Sequence, residues 1–341
     1  GLPMGGSIGV TLFLGTAMSI ALYIVGFVEN FLSIQVIVDF LGMTGGVNDI
    51  RLIGSAVIIL LVLIAYISTS IAIKTQFFIL GAIALSIVSI VVGVLTNTDY
   101  QAVEPALSVS ENAPNLIVLF AIFFPAVTGF TAGVAMSGDL ESPKDSIPKG
   151  TLYAIGVGLL VYVGLAVLFA FFVDRQLLIT DTNFLIKIAW FSPLVIAGIW
   201  GATLSSALGG ILGAPRILQA MSNDKVTPRF FAFGVGNNND PRRALILTFV
   251  LAELGILIGE LDVIAGIVSM FYIAAYGFIN LAYVLERWSN SDFRPSLKVS
   301  IWIGIIGFVA SIFVMINLDP LAMLLAFGIM FGIYIFLKRR E

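Results

Sequence analysis

The chain has 341 residues, 59% of them hydrophobic and 11% charged, with a mean hydropathy of +1.08. Soluble domains carry about 25% charged residues, so this composition excludes a water-soluble fold and predicts an integral membrane protein. The net charge of −3 says little, but a sequence with no His and no Cys excludes a zinc site, a thiol nucleophile, a disulfide and a histidine proton relay.

A helix that crosses a bilayer needs ~20 apolar residues. In chain order the sequence predicts ten such spans, at 7–35, 50–70, 75–95, 115–137, 150–173, 189–215, 243–259, 261–284, 299–317 and 320–337. Together they make one transmembrane domain over 1–341, an all-α multi-span helical bundle. The apolar runs are twice the length of a barrel strand and do not alternate, which excludes a transmembrane barrel. Lys and Arg set the orientation. With the N-terminus inside, 14 of the 17 basic residues fall in inside segments and only Arg51, Arg175 and Lys187 fall outside. Both termini are therefore expected in the cytoplasm. The connection 95–114, with Asp99, Glu104 and Glu111 and no basic residue, is expected outside. The opening Gly1-Leu2-Pro3-Met4 has no basic n-region and reads as a chain met partway through.

The first span carries Glu29 and the seventh Glu253, each a few turns from a span end. A proton carrier is one reading; interfacial snorkelling or a buried partner is the commoner one. The fourth span breaks the rules of membrane helices. It reads Phe123-Phe124-Pro125-Ala126-Val127-Thr128-Gly129-Phe130-Thr131-Ala132-Gly133. Pro125 removes a donor and displaces a carbonyl, and Gly129 and Gly133 weaken the helix further. A discontinuous helix at the bilayer midplane would offer free carbonyls near Pro125 to a cation and free N–H groups near Phe130 to an anion. The competing reading is an ordinary proline kink healed by Thr.

The sixth span holds Ala202, Ser205 and Ser206 at positions i, i+3 and i+4, which share one helix face. Uncharged hard oxygens suit Na⁺. Close packing of small residues, with each Ser bonded to its own helix, is the bland alternative. In the eighth span Tyr276 and Asn280 lie one turn apart, where the Tyr hydroxyl could face an anion or tie two helices together.

These segments resemble the cation–chloride cotransporter family of the amino acid–polyamine–organocation superfamily. The resemblance rests on Phe123-Phe124-Pro125-Ala126-Val127-Thr128-Gly129, Ala132-Gly133, Ser137-Gly138-Asp139-Leu140 and Ser146-Ile147-Pro148-Lys149-Gly150-Thr151-Leu152. Tyr23-Ile24-Val25-Gly26-Phe27, Ala202 to Ala207 and Gly213-Ala214-Pro215-Arg216 support it. It implies an inverted-repeat transporter fold. It implies that Tyr23, Pro125 and Thr128 help hold K⁺, that Ala202, Ser205 and Ser206 hold Na⁺, and that Gly129, Phe130, Thr131 and Tyr276 hold Cl⁻. The two serines resemble the sodium-coupled branch. Phe130, Thr131 and Ala135 depart from the family pattern. By that alignment the first span is the family's third, and the two preceding helices and the large C-terminal domain are not represented.

The resulting expectation is a secondary transporter in the plasma membrane that couples Na⁺, K⁺ or both to Cl⁻ by alternating access. An amino-acid or amine permease on the same scaffold is the alternative. Neither catalysis, nor a cofactor, nor a nucleic-acid partner is expected. Inorganic ions and the lipid bilayer are the expected partners, and the resemblance leaves room for a homodimer.

Overall fold

The structure is a computed structural model that describes residues 1–67, 69–96, 105, 115–135, 137, 140–236, 239–290, 292–293, 295 and 299–339. The acidic connection with Asp99, Glu104 and Glu111, the Gly138-Asp139 pair, Asn237, Asn238 and the basic residues Arg294, Lys298 and Arg340 lie outside the described residues.

The described chain is helical from end to end. α1 (Leu2–Leu32), α2 (Gln35–Leu41), α3 (Val47–Ile67) and α4 (Thr69–Thr96) come first. α5 (Leu116–Phe123) runs into a tight 3₁₀ turn at Phe124–Val127, and a short turn of helix, α6 (Ala132–Ala135), follows. Next come α7 (Pro143–Phe172), α8 (Arg175–Thr180), α9 (Phe184–Ile188) and α10 (Ser192–Asn223). α11 (Arg242–Ile258), α12 (Leu261–Ser289), α13 (Ile301–Leu318) and α14 (Pro320–Lys338) complete the bundle. Strand pairing among the described residues is confined to one bridge, Val235 with Asp240.

Eight helices are long and apolar enough to cross a membrane: α1, α3, the 75–96 part of α4, α7, α10, α12, α13 and α14. Of the other two expected spans, 243–259 is the 17-residue α11, and 115–137 is the interrupted α5–α6 segment. Several helices outrun the apolar stretch that announces them. α10 continues past residue 215 to Asn223, and α7 begins at Pro143, before the expected 150. Pro143 sits in the first turn, where its missing N–H costs nothing, so the polar Lys144-Asp145-Ser146 stretch is wound into the helix.

Self-satisfied polar groups explain why α1 tolerates four Ser and Thr hydroxyls. Ser7 and Thr11 donate to the carbonyls of Pro3 and Ser7, four residues back; Thr16 donates to Leu12 and Ser19 to Thr16. None leaves a polar group open to lipid. α1 is also the centre of the bundle. Ile20, Ile24, Val25 and Val28 are fully buried against α3, α10, α11 and α12.

Glycine lets α10 reach this centre. A Cβ on Gly210 would sit 2.7 Å from the Ile20 side chain, so the two helices close to a distance that only glycine permits. α1 and α10 run antiparallel, since Gly9 faces Met221 while Gly210 faces Ile20. α12 is antiparallel to α1 as well, with Gly15 beside Tyr272 and Gly26 beside Leu261. α7 stands at the other extreme, with no buried residue.

Candidate functional site

The fourth expected span is broken, the first of the two readings that its composition left open. α5 ends at Phe123, the 3₁₀ turn carries Pro125, and Thr128 leaves the helical conformation with φ −87° and ψ −177°. Gly129 then takes φ +91°, a left-handed conformation that a side chain would resist. The chain turns again at Phe130 and Thr131 before α6 begins.

Most carbonyls freed by the break are capped. The Ala121 carbonyl accepts from the Ser269 hydroxyl of α12 at 2.8 Å, and the Ala126 carbonyl from the Tyr162 hydroxyl of α7 at 2.8 Å. The Pro125 carbonyl accepts twice, from the Thr128 hydroxyl at 2.7 Å and from the Thr128 N–H at 3.2 Å. The amides are different. Among the described residues no backbone hydrogen bond outside the helices uses the N–H of Gly129, Phe130 or Thr131.

The break faces an open cavity of about 930 Å³ lined by α1, α6, α10 and α12. Its walls bring together Tyr23, Thr128, Gly129, Phe130, Thr131, Ser206 and Tyr276. Seven of the ten site residues expected from sequence therefore share one space. The other three, Pro125, Ala202 and Ser205, lie outside its lining. Pro125 is buried and turned onto Thr128. Ala202 and Ser205 sit on the uninterrupted α10, half-buried, one turn or less from Ser206.

The polar groups in the cavity divide into two kinds. On one side the Tyr23 hydroxyl lies beside Thr128 and Ser19. The Thr128 proton is committed to the Pro125 carbonyl, so that hydroxyl presents lone pairs to the cavity. On the other side the buried Tyr276 hydroxyl has no hydrogen-bond partner among the described residues, although Thr131 and the Gly129 backbone lie near it. Its ring is fixed from two directions, by Tyr272 at 5.6 Å and Phe130 at 5.1 Å between ring centres. An unused buried donor is costly, about 1–3 kcal/mol, and calls for an explanation such as strain, an ordered water or a bound ion.

Both membrane acids have protein partners. Glu253 accepts from Ser55 of α3, and Glu29 faces the Leu261 backbone at the start of α12. Sequence reasoning missed Thr16, Ser19 and Tyr272, which also line the cavity. The signal was available: Thr16, Ser19 and Tyr23 are spaced three and four apart, and Tyr272 lies one turn before Tyr276.

The family model for amino acid permeases matches residues 4–341. The chain belongs to the amino acid permease family. It is 34% identical to solute carrier family 12 member 2 of Mus musculus over an alignment that covers 100% of this chain and 33% of that protein. Identity to solute carrier family 12 member 1 of Homo sapiens is 31%, over 100% of this chain and 36% of that protein. Member 2 of Danio rerio is 32% identical, with 100% and 35% covered. The chain thus spans about a third of the length of these curated relatives. The family resemblance read from the motifs holds across the whole chain, and the fold is that of an all-α membrane protein of this family.

Proposed function

We propose that the complete protein is a secondary active transporter that couples Na⁺ and K⁺ to Cl⁻ by alternating access, as the resemblance to cation–chloride cotransporters implies. One observation carries the reading. A single cavity has oxygens with committed protons on one side and uncommitted donors on the other. That is the requirement for binding ions of opposite sign side by side, and discontinuous helices at the midplane are how transporters meet it.

The roles follow from the hydrogen-bond inventory. Tyr23 and Thr128 give oxygens to K⁺, and Pro125 contributes by holding the Thr128 proton away from the ion. The N–H groups of Gly129, Phe130 and Thr131, with the Tyr276 hydroxyl, receive Cl⁻. Ser206 on the cavity wall, with Ala202 and Ser205 behind it on α10, forms the Na⁺ site. Uncharged oxygens suit alkali cations that must be released as well as bound.

The distribution of Lys and Arg supports cytoplasmic termini, and the resemblance to cation–chloride cotransporters supports the plasma membrane. On that orientation the α10 wall of the cavity, from Ser206 to Asp224, runs about 27 Å at 1.5 Å per residue toward the cytoplasmic end of that helix.

The test is flux of ⁸⁶Rb⁺, ²²Na⁺ and ³⁶Cl⁻ into proteoliposomes holding the complete gene product, with labelled amino acids alongside. Saturable Rb⁺ uptake that requires chloride is expected. Saturable amino-acid uptake indifferent to chloride would overturn the proposal in favour of a permease.

A further inference from the structure

One hydrogen bond ties together the two segments that carry the proposed anion ligands, and neither of its partners lines the cavity. Pro125 has no N–H to return to Ala121, the residue four places back whose carbonyl an unbroken helix would pair with it. The Ser269 hydroxyl of α12 fills that place, donating to the Ala121 carbonyl at 2.8 Å. Both residues lie inside the protein, Ser269 at 0% exposure and Ala121 at 5%.

The position of this bond gives it a consequence for the site. Tyr276 follows Ser269 by seven residues, two turns and about 10 Å along the same face of α12. Gly129, whose amide opens the anion-facing stretch, follows Ala121 by eight residues. Among the described residues the Ser269–Ala121 bond is the one hydrogen bond between α5 and α12. The rest of the contact is apolar, with Phe124 packed against the cluster of Met270, Ile273 and Ala274. Apolar packing is non-directional and lets one helix slide along another, whereas a short hydrogen bond fixes the register. Donors brought from two segments must be held to within about 0.5 Å if they are to meet one ligand.

We propose that Ser269 is a positioning residue of the anion site: its bond to the carbonyl that Pro125 frees sets the height of the Tyr276 hydroxyl against the amides of Gly129, Phe130 and Thr131. The inference rests on the transport reading above. The cation oxygens of Tyr23 and Thr128 belong to α1 and the break, so K⁺ does not depend on the height of Tyr276. A hydroxyl that only capped an orphan carbonyl would matter to folding and to every ion alike. One that sets this register matters to chloride, and acts through Tyr276.

The test is a double-mutant cycle in the complete protein, reconstituted in proteoliposomes. Rb⁺ uptake is titrated with Cl⁻ and with K⁺ for Ser269→Ala, for Tyr276→Phe and for the pair. Ser269→Ala alone is expected to raise the half-saturating Cl⁻ concentration about five-fold and to leave that for K⁺ within about two-fold of the parent. On top of Tyr276→Phe it is expected to raise the Cl⁻ value by less than about two-fold more, because the group it positions is already gone. Ser269→Cys keeps a weak donor at similar size and replaces the alanine variant should that not fold, with the same pattern expected. Unchanged Cl⁻ dependence, equal shifts for K⁺ and Cl⁻, or the full chloride loss on top of Tyr276→Phe would overturn the positioning role and leave Ser269 a cap on a freed carbonyl. A parent protein without chloride-dependent Rb⁺ flux would instead overturn the transport reading itself.

Discussion

The Thr128 hydroxyl donates to the Pro125 carbonyl at 2.7 Å, closing the break in the fourth span upon itself. The bond does two things. It satisfies a carbonyl that the proline has freed, and it fixes which way the Thr128 oxygen can serve a ligand, as acceptor only.

Thr128→Ala should therefore weaken the cation site more than the anion site. Loss of a bond to a charged group costs about 1.5–3 kcal/mol, or a rise of about ten-fold or more in the half-saturating K⁺ concentration. Thr128→Ser should restore most of it. Rb⁺ uptake titrated against K⁺ and against Cl⁻ separates the two effects.

Tyr276→Phe should do the opposite with an unusual stability signature. The hydroxyl has no hydrogen-bond partner among the described residues, so its removal should leave the unfolding temperature unchanged or slightly raised. Half-saturation by Cl⁻ should rise by about ten-fold or more. A helix-tying hydroxyl would show the reverse pattern, lost stability with intact chloride dependence. Thermal unfolding of the purified protein and ³⁶Cl⁻ uptake decide between them.

Ser206→Gly should remove sodium stimulation and leave folding intact. Ser206 lines the cavity, and glycine neighbours already occupy the same stretch of α10 at Gly209 and Gly210. Unchanged sodium stimulation of chloride uptake would contradict the assignment.

Gly210→Val should fail by a different route. Its first added carbon meets Ile20 at 2.7 Å, and both residues are buried. Overpacking of this sort costs about 1–3 kcal/mol, read as a lower unfolding temperature with loss of cation and chloride transport together.

Much of this was legible in the sequence because membrane helices leave few ambiguities. Pro125 and Gly129 marked where the helix would break or kink without deciding between the two, and Ser206 announced a polar helix face. Long-range partners were not legible. Ser269 caps Ala121 from 148 residues away and Tyr162 caps Ala126 from 36 residues away, and no local pattern encodes such pairs. Nor could periodicity decide which of Ala202, Ser205 and Ser206 meets the cavity, since one helix face is wide enough to hold all three. Thr16, Ser19 and Tyr272 were overlooked for another reason. Hydroxyls on apolar helices usually bond back to their own backbone, as Thr16 and Ser19 do here, so nothing local marks them as lining a cavity.

The most direct test of the two-sided cavity is the paired ion dependence of Thr128→Ala and Tyr276→Phe in one preparation of the complete protein. Rb⁺ uptake is titrated with K⁺ at saturating Cl⁻, then with Cl⁻ at saturating K⁺. The prediction is a crossed result: Thr128→Ala shifts the K⁺ curve more than the Cl⁻ curve, and Tyr276→Phe shifts the Cl⁻ curve more than the K⁺ curve. Equal shifts of both curves in both variants would contradict it.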